Sequence, residues 1–324
     1  MRFLSAIAGA ATVLCGMAVP GHAQDAYPAR TVKIVVPSAA GSTTDSLARI
    51  MAENLQRRWN GKTVIVENIA GGAMNIGSRG VARAEPDGYT LLVAPPSPLS
   101  FNHVLYKDPG YDPTKFTPIT LLAKIPNVMV VARKVPAKSL KEFIAYAKAN
   151  PGKLTYASSG VGSTAHLTAS LLEVRAGIKM LHVPYRGAIP ALTDVVAGHV
   201  DLFFDTVATG VPQYKDGKVN ILGVGDVVRA AAAPEIPTMI EAGLEGFRST
   251  TWFGLVGPPG MAAALADRLN ADAVAVLKSE PVGALLKKLS LDAGATSRAD
   301  TTKFFAAEAA QWVKVIKESG IAPQ

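Results

Sequence analysis

The 324-residue chain contains a single cysteine. Cys15 lies in an apolar opening run, so no intrachain disulfide and no thiol chemistry are available to the rest. Stability has to come from a buried core, which a chain of this length can supply. Long apolar runs are nearly absent as well. Arg2, the stretch "FLSAIAGAATVLCGMAV" and the small residues of "GHA" form a secretory leader with predicted cleavage after Ala23. That run is too short for a membrane span, and no later stretch reaches about 18 apolar residues. The mature protein is therefore expected to be exported and soluble. Leu14 precedes Cys15, where a lipid-attachment site carries Gly, Ala or Ser, which disfavours lipidation. Losing residues 1–23 removes one cation and no acid, so a formal charge of +8 becomes +7.

Other absences narrow the function. Lys and Arg are scattered instead of gathered on one segment, which speaks for a solvated basic surface and against a nucleic-acid partner. No G-x-x-x-x-G-K-[ST] run is present, and neither "GGAMNIG" nor "GVGSTA" completes G-x-G-x-x-G, so nucleotide and dinucleotide cofactors are not predicted. A G-x-S-x-G elbow is missing. His103, His166, His182 and His199 lack metal-ligand spacing, and His166 reads as a packing or hydrogen-bonding residue. No catalytic residue, metal or cofactor is assigned. Internal repeats and low-complexity linkers are lacking too.

What is present is alternation. The β-branched run at 89–95 follows the turn "PDG", and those at 31–37, 63–68, 126–133 and 153–160 each precede a helical pattern. So do "KMLHVPY" and "VDLFFD"; "VNILGVG" and 251–258 follow. Helices are predicted near 43–58, 75–84, 139–150, 163–177, 208–216, 261–278 and 300–319, with Leu47, Ile50, Met51 and Leu55 forming one stripe of the first. This βα order predicts an α/β fold with mostly parallel sheets covered by helices. Some 300 residues are many for one sheet, so two lobes joined by crossing strands are expected. "PNVMVVAR" and "TWFGLVGP" are the candidate crossings, and Trp252 and Trp312 read as core or lobe-interface residues.

Three loops between strand and helix are rich in small residues: Ser38, Ala39, Ala40, Gly41, Ser42 and Thr43; "IAGGAMNIGS" at 69–78; and Ser158, Ser159, Gly160, Gly162, Ser163 and Thr164. Ser42 and Asp45 have capping-box spacing. The same loop also opens backbone N–H groups at the positive end of a helix, where anions bind; taken alone, it leaves both readings open. Three such loops beyond strand ends, where α/β folds bind ligands, point to a cleft for a small anion. Asp205, closing the apolar run "VDLFFD", either caps the next helix or accepts hydrogen bonds in the site.

The series "YPARTVKIVVPSAAGSTTDSLAR", "VIVENIAGGAMNIG", "ARAEPDGYTLL", "NPGKLTYASSGVGSTAHL", "HVPYRGAIPALTDVVAGHVDLFFD", "IPTMIEAGLEGF" and "TWFGLVGPPG" resembles the periplasmic solute-binding proteins of tripartite tricarboxylate transporters, the Bug/TctC type. Relatives often carry an aromatic residue where Ser38 stands and a second glycine where Ser42 stands. The resemblance implies a type II periplasmic-binding-protein fold: two hinged α/β lobes built from 24–125 with 250–324, and from 126–249. It further implies a monomer that holds a small organic mono- or dicarboxylate, aromatic ones included, and delivers it to membrane subunits of a secondary transporter. Carried onto this chain, the first lobe contributes Ser38, Ala39, Gly41, Ser42, Thr43 and Ser97. The second contributes Ser158, Gly160, Ser163, Thr164, Asp205 and Thr206. A sensory subunit for a signalling partner and a secreted enzyme acting on a carboxylate are the competing readings.

Overall fold

The computed structural model describes residues 27–323, so the leader, Cys15 and the predicted cleavage after Ala23 lie outside the described residues. In chain order the first elements are β1 (Val32–Val36), α1 (Thr43–Arg58), β2 (Val64–Asn68), α2 (Asn75–Ala82) and β3 (Thr90–Ala94). A π turn at Ser97–Phe101 leads into a short helix, α3 (Asn102–Leu105). Next come β4 (Thr117–Ala132), α4 (Leu140–Ala149), β5 (Thr155–Ser158), α5 (Thr164–Ala176), β6 (Leu181–Pro184), α6 (Ala188–Ala197), β7 (Leu202–Thr206), α7 (Val207–Lys215) and β8 (Val219–Val224). The chain closes with β9 (Thr250–Gly257), α8 (Ala263–Leu277), α9 (Glu280–Lys288), β10 (Asp292–Ala293) and α10 (Arg298–Glu318).

Local chemistry explains most of these bounds. The stripe Leu47, Ile50, Met51 and Leu55 is buried, as its spacing predicts. Ser42, Ser139, Ser163 and Ser297 each accept a hydrogen bond from the amide three residues on, which caps α1, α4, α5 and α10. Gly177 ends α5 at φ 62°, a left-handed C-cap. β1 is apolar almost throughout because parallel neighbours and helices cover both its faces.

Each lobe is built on parallel strands: β1 between β2 and β3 in one, β5 between β6 and β7 in the other. β4 is 16 residues long and belongs to both. Its first part pairs antiparallel with β9, from Thr117 opposite Gly257 to Pro126 opposite Thr250. Its last part pairs antiparallel with β7 on one side and β8 on the other. These registers fix where the strand ends fall. β3 runs with β4 and ends at Ala94, which lies level with Gly254 and so with Leu121. β7 runs against β4 and ends at Thr206 opposite Asn127. The carboxyl ends of both parallel sets thus point at the crossing from opposite sides, about 20 Å apart along β4 at some 3.3 Å per residue.

A polar knot holds that crossing. Asn127 donates its amide to the Ser249 carbonyl (3.3 Å) and accepts from the Gly225 amide (2.7 Å). Its side chain bonds the hydroxyls of Ser249 (2.8 Å) and Thr251 (3.1 Å). At Gly225 a Cβ would stand 2.5 Å from the Ser249 carbonyl oxygen, so only glycine lets these backbones approach. The closing helix also links the lobes. Phe305 of α10 packs in a first-lobe cluster with Trp252, whereas Trp312, Val315 and Ile316 join the second-lobe core. Between them, one buried carboxylate oxygen of Glu308 accepts from both indoles, Trp252 at 2.8 Å and Trp312 at 3.1 Å.

Candidate functional site

The first-lobe loop is internally more committed than its small residues suggest. Ser42 Oγ accepts from the Asp45 amide, as capping requires, but Asp45 does not return a bond to Ser42. Its Oδ2 accepts from the Gly41 amide (2.9 Å) and from Arg49, and its Oδ1 from Asn68. The expected box therefore closes one residue earlier, because Gly41 at φ 82° turns its N–H back toward the helix. Burial works against the Asp45 charge, yet the bonds from Arg49, Gly41 and Asn68 outweigh it and hold the carboxyl below its ordinary range. Ser38 and Ser42 bond each other, hydroxyl to hydroxyl, at 2.8 Å. The Gly41 amide is thus engaged, while Ala39 and Thr43 are exposed on the rim with Thr43 in the first turn of α1.

The second-lobe loop is built on imidazoles. Ser158 is fully buried, and its hydroxyl lies 2.6 Å from His182 Nε2 and 3.1 Å from the Gly160 amide. His166 Nδ1 accepts from the Gly162 amide at 3.0 Å, and its ring stacks on His182 with centroids 4.1 Å apart. Tyr156 stacks on His182 from the same group. Burial, then the neighbouring His182, pushes His166 down to about 4, and burial lowers His182. Both rings are neutral at neutral pH, and Nδ1 of His166 stays an acceptor. His166, which the sequence reads as a packing or hydrogen-bonding residue, does both. Ser158 and Gly160 shape this loop from beneath, while Ser163 and Thr164, half-buried, stand at the open N-terminus of α5.

The two helix entrances differ in charge. That of α1 carries an ionised carboxylate, Asp45; that of α5 carries a hydroxyl and a neutral ring. An anion at the α1 entrance therefore faces the Asp45–Arg49 ion pair, whereas at the α5 entrance it faces uncharged groups at a positive helix end.

The third loop is strained. Gly71, Gly72, Ala73 and Met74 have φ of 125°, 53°, 52° and 73° in succession, which is unusual for the two that carry a Cβ. Buried Asn102 donates to the Ala73 carbonyl (3.0 Å) and to Asn75 Oδ1 (2.7 Å); Ser78 donates to the Met74 carbonyl (2.8 Å) and Tyr111 to Asn75 Oδ1 (3.1 Å). Ser97, at the start of the π turn, sits with its hydroxyl 4.0 Å from the Met74 sulfur. The predicted residue Ser97 thus belongs to this loop's wall.

Asp205 does not cap α7; Thr206 holds the N-cap position. The Asp205 carboxyl lies under the first turn of α7, where Oδ1 accepts the Thr206 amide (2.8 Å) and Oδ2 is buried without a partner. Burial pushes it up to about 6, against the pull of the Thr209 hydroxyl and the Thr206 amide. Next to it, Val207 lines a cavity of about 750 Å³ between the lobes, with Pro126, Val228, Ala230, Leu291 and Ala293 among its walls.

No hydrogen bond or ion pair joins the loop at 38–43 to that at 158–164 among the described residues. The lobes touch beside them, where Gly162 backs onto Leu105. Sequence reasoning passed over the β6–α6 loop. The Tyr185 amide bonds the Ser158 carbonyl (2.9 Å), which places exposed Arg186 and the Gly187 entrance of α6 beside the second-lobe cradle. A single glycine between strand and helix was its only signal. Among the described residues no acidic or His/Cys cluster suits a metal, and no helix is long and apolar enough to cross a membrane.

Comparison with known proteins returns one family description, "Tripartite tricarboxylate transporter family receptor", matched over residues 47–321. Among solved structures, the chain is similar to Rpa4515 of R. palustris with adipate, at TM-score 0.79 and 34% identity, covering 92% of this chain and 100% of that one. It is similar to the periplasmic binding protein BugD, at TM-score 0.76 and 34% identity with the same coverage. It is also similar to MatC of Rhodopseudomonas palustris with bound malate, at TM-score 0.76 and 31% identity, over 90% of this chain and 100% of that one.

Proposed function

This chain belongs to the tripartite tricarboxylate transporter receptor family, and from that premise we propose that it captures a small organic mono- or dicarboxylate between its lobes and presents it to the membrane subunits of a transporter. The observation that carries the reading is the meeting of strand carboxyl ends from both lobes at one crossing, where the chain leaves the strands for loops and helix entrances. A ligand bridging those entrances favours the closed arrangement by binding it better than the open one. Adipate and malate, bound by two similar proteins, are the first compounds to try. The role proposed is capture in the periplasm, with no chemical step: the loops offer amides, hydroxyls and neutral rings.

The test is a thermal-shift and calorimetric screen of the mature protein with adipate, malate and further carboxylates, against neutral sugars as controls. A ligand at 100 times its Kd raises apparent stability by about 2.7 kcal/mol. Ser163→Ala should weaken the responding carboxylate by about tenfold, since one hydrogen bond to a charged group is worth about 1.5 kcal/mol or more. A response to sugars alone, or full affinity in Ser163→Ala, would count against the reading or against the α5 entrance, respectively.

A further inference from the structure

Two buried side-chain atoms lack a hydrogen-bond partner among the described residues, Ser100 Oγ and Asp205 Oδ2. The second is the more demanding, because a carboxylate oxygen buried without a donor is far costlier than an idle hydroxyl, even with Oδ1 held by the Thr206 amide. Asp205 is only 4% exposed. It pairs in register with Val128, one step from the Asn127–Thr206 pair where β4 changes lobes. A Cβ on Gly210 would lie within 3 Å of the Val128 side chain and 3.8 Å from Asp205 Cβ, so α7 presses directly on this spot. Two residues along, Val207 opens onto the inter-lobe cavity.

No cation answers this carboxyl. From β4, residues 127–131 supply no ionisable group. From β5 comes Tyr156, pushed up to about 12 and so neutral; from α5 comes His166, also neutral. α6 contributes Asp194, and α7 contributes Tyr214 and Lys215 at its far end; Arg229 on the same side of the cavity is paired with Glu241, and Lys287 and Asp292 stand across it. Burial is what raises the Asp205 carboxyl, to about 6, against the bonds from Thr209 and Thr206. A second negative charge brought into the cleft makes the ionised form costlier still, and lobe closure removes more water.

We propose that capture of an anionic ligand loads one proton onto Asp205, so that the second lobe binds anion and proton together. The proton comes from bulk solvent and forms an O–H bond at Oδ2; the lone acceptor becomes a donor, and the incoming negative charge is balanced. This inference rests on the carboxylate-capture reading, and its test separates the two.

Adipate is titrated into the mature protein by calorimetry from pH 6.5 to 8.5, in buffers of different ionisation enthalpy. The expected result is uptake of one proton per site and a Kd that weakens toward tenfold per pH unit above about pH 7. Asp205→Asn, neutral at every pH, should bind adipate with a flat profile; a merely structural role would leave the wild-type slope in place. Wild-type binding without proton uptake, or an equal slope in Asp205→Asn, overturns the proposal and leaves the capture reading standing. Failure of adipate and of every other carboxylate at all pH values overturns both. If Asp205→Asn does not fold, wild-type proton uptake alone decides.

Discussion

Removing the Glu308 carboxylate should loosen the joint between the two lobes, and the size of the effect follows from what it serves. One oxygen accepts two buried indole N–H groups, Trp252 from the first-lobe cluster and Trp312 from the second-lobe core. Glu308→Ala leaves both donors without a partner, at about 1–3 kcal/mol each, so a loss near 4 kcal/mol is expected. Unfolding entropy of about 2.1 cal/mol/K per residue over roughly 300 residues converts this into a fall of about 6 °C in melting temperature. Glu308→Gln retains one oxygen acceptor in the same place and should stay within about 1 kcal/mol of wild type. The pH profile adds a second check. Burial raises the Glu308 pKa above its ordinary value, so the folded state holds the proton more tightly than the unfolded chain. The penalty for ionisation is absent below the ordinary glutamate range and complete above the raised one. Wild-type stability should therefore fall relative to Glu308→Gln as pH rises through that window. Calorimetric melting with tryptophan emission reads both effects. A Glu308→Ala protein melting within 1 °C of wild type, its indole emission unshifted, would refute the bridge.

Acid should unmake the second-lobe cradle through His166. Its pKa is depressed from 6.5 to about 4, so stability is complete above pH 6.5 and declines as pH drops toward 4, by up to about 3 kcal/mol. His166→Phe should keep the stack, lose about 1–3 kcal/mol with the Gly162 acceptor, and show a shallower acid limb in denaturation; an unchanged limb would exonerate this ring. Ala73→Gly should stabilise the protein by about 0.5–1 kcal/mol, because glycine relieves the left-handed strain at φ 52°. A lower denaturation midpoint in that variant would show that the turn carries no such strain.

How much of this was legible depended on range. The α1 stripe, the serine caps and Gly177 could be read because their partners lie within four residues. β4 was read only from 126 onward, since Pro118, Lys124 and Pro126 look like interruptions. The structure tolerates them through register shifts against β9 near Pro118 and Leu121, and by placing Pro126 at the last pair of that ladder. α9 fell between two longer helical patterns, and the π turn at Ser97–Phe101 has no periodic signature. In the site, the strand-end position of the small-residue loops was visible, but their internal commitments were not. His182 meets Ser158 across 24 positions, and Gly41 spends its amide on Asp45 because of one dihedral angle. The burial of Asp205 follows from α7 pressing on β7, a tertiary fact with no local trace.

The insertion of β9 between β3 and β4 has a bearing on how the molecule assembles. Residues 127–249 supply every strand of the second-lobe sheet from one unbroken stretch, whereas β3 lacks its outer neighbour until residues 250–257 arrive. Closing that gap brings together strands more than 150 positions apart, a slow and entropically demanding step. The half that carries the imidazole stack can condense first, and the half that carries Asp45 is completed last, around a partner already formed.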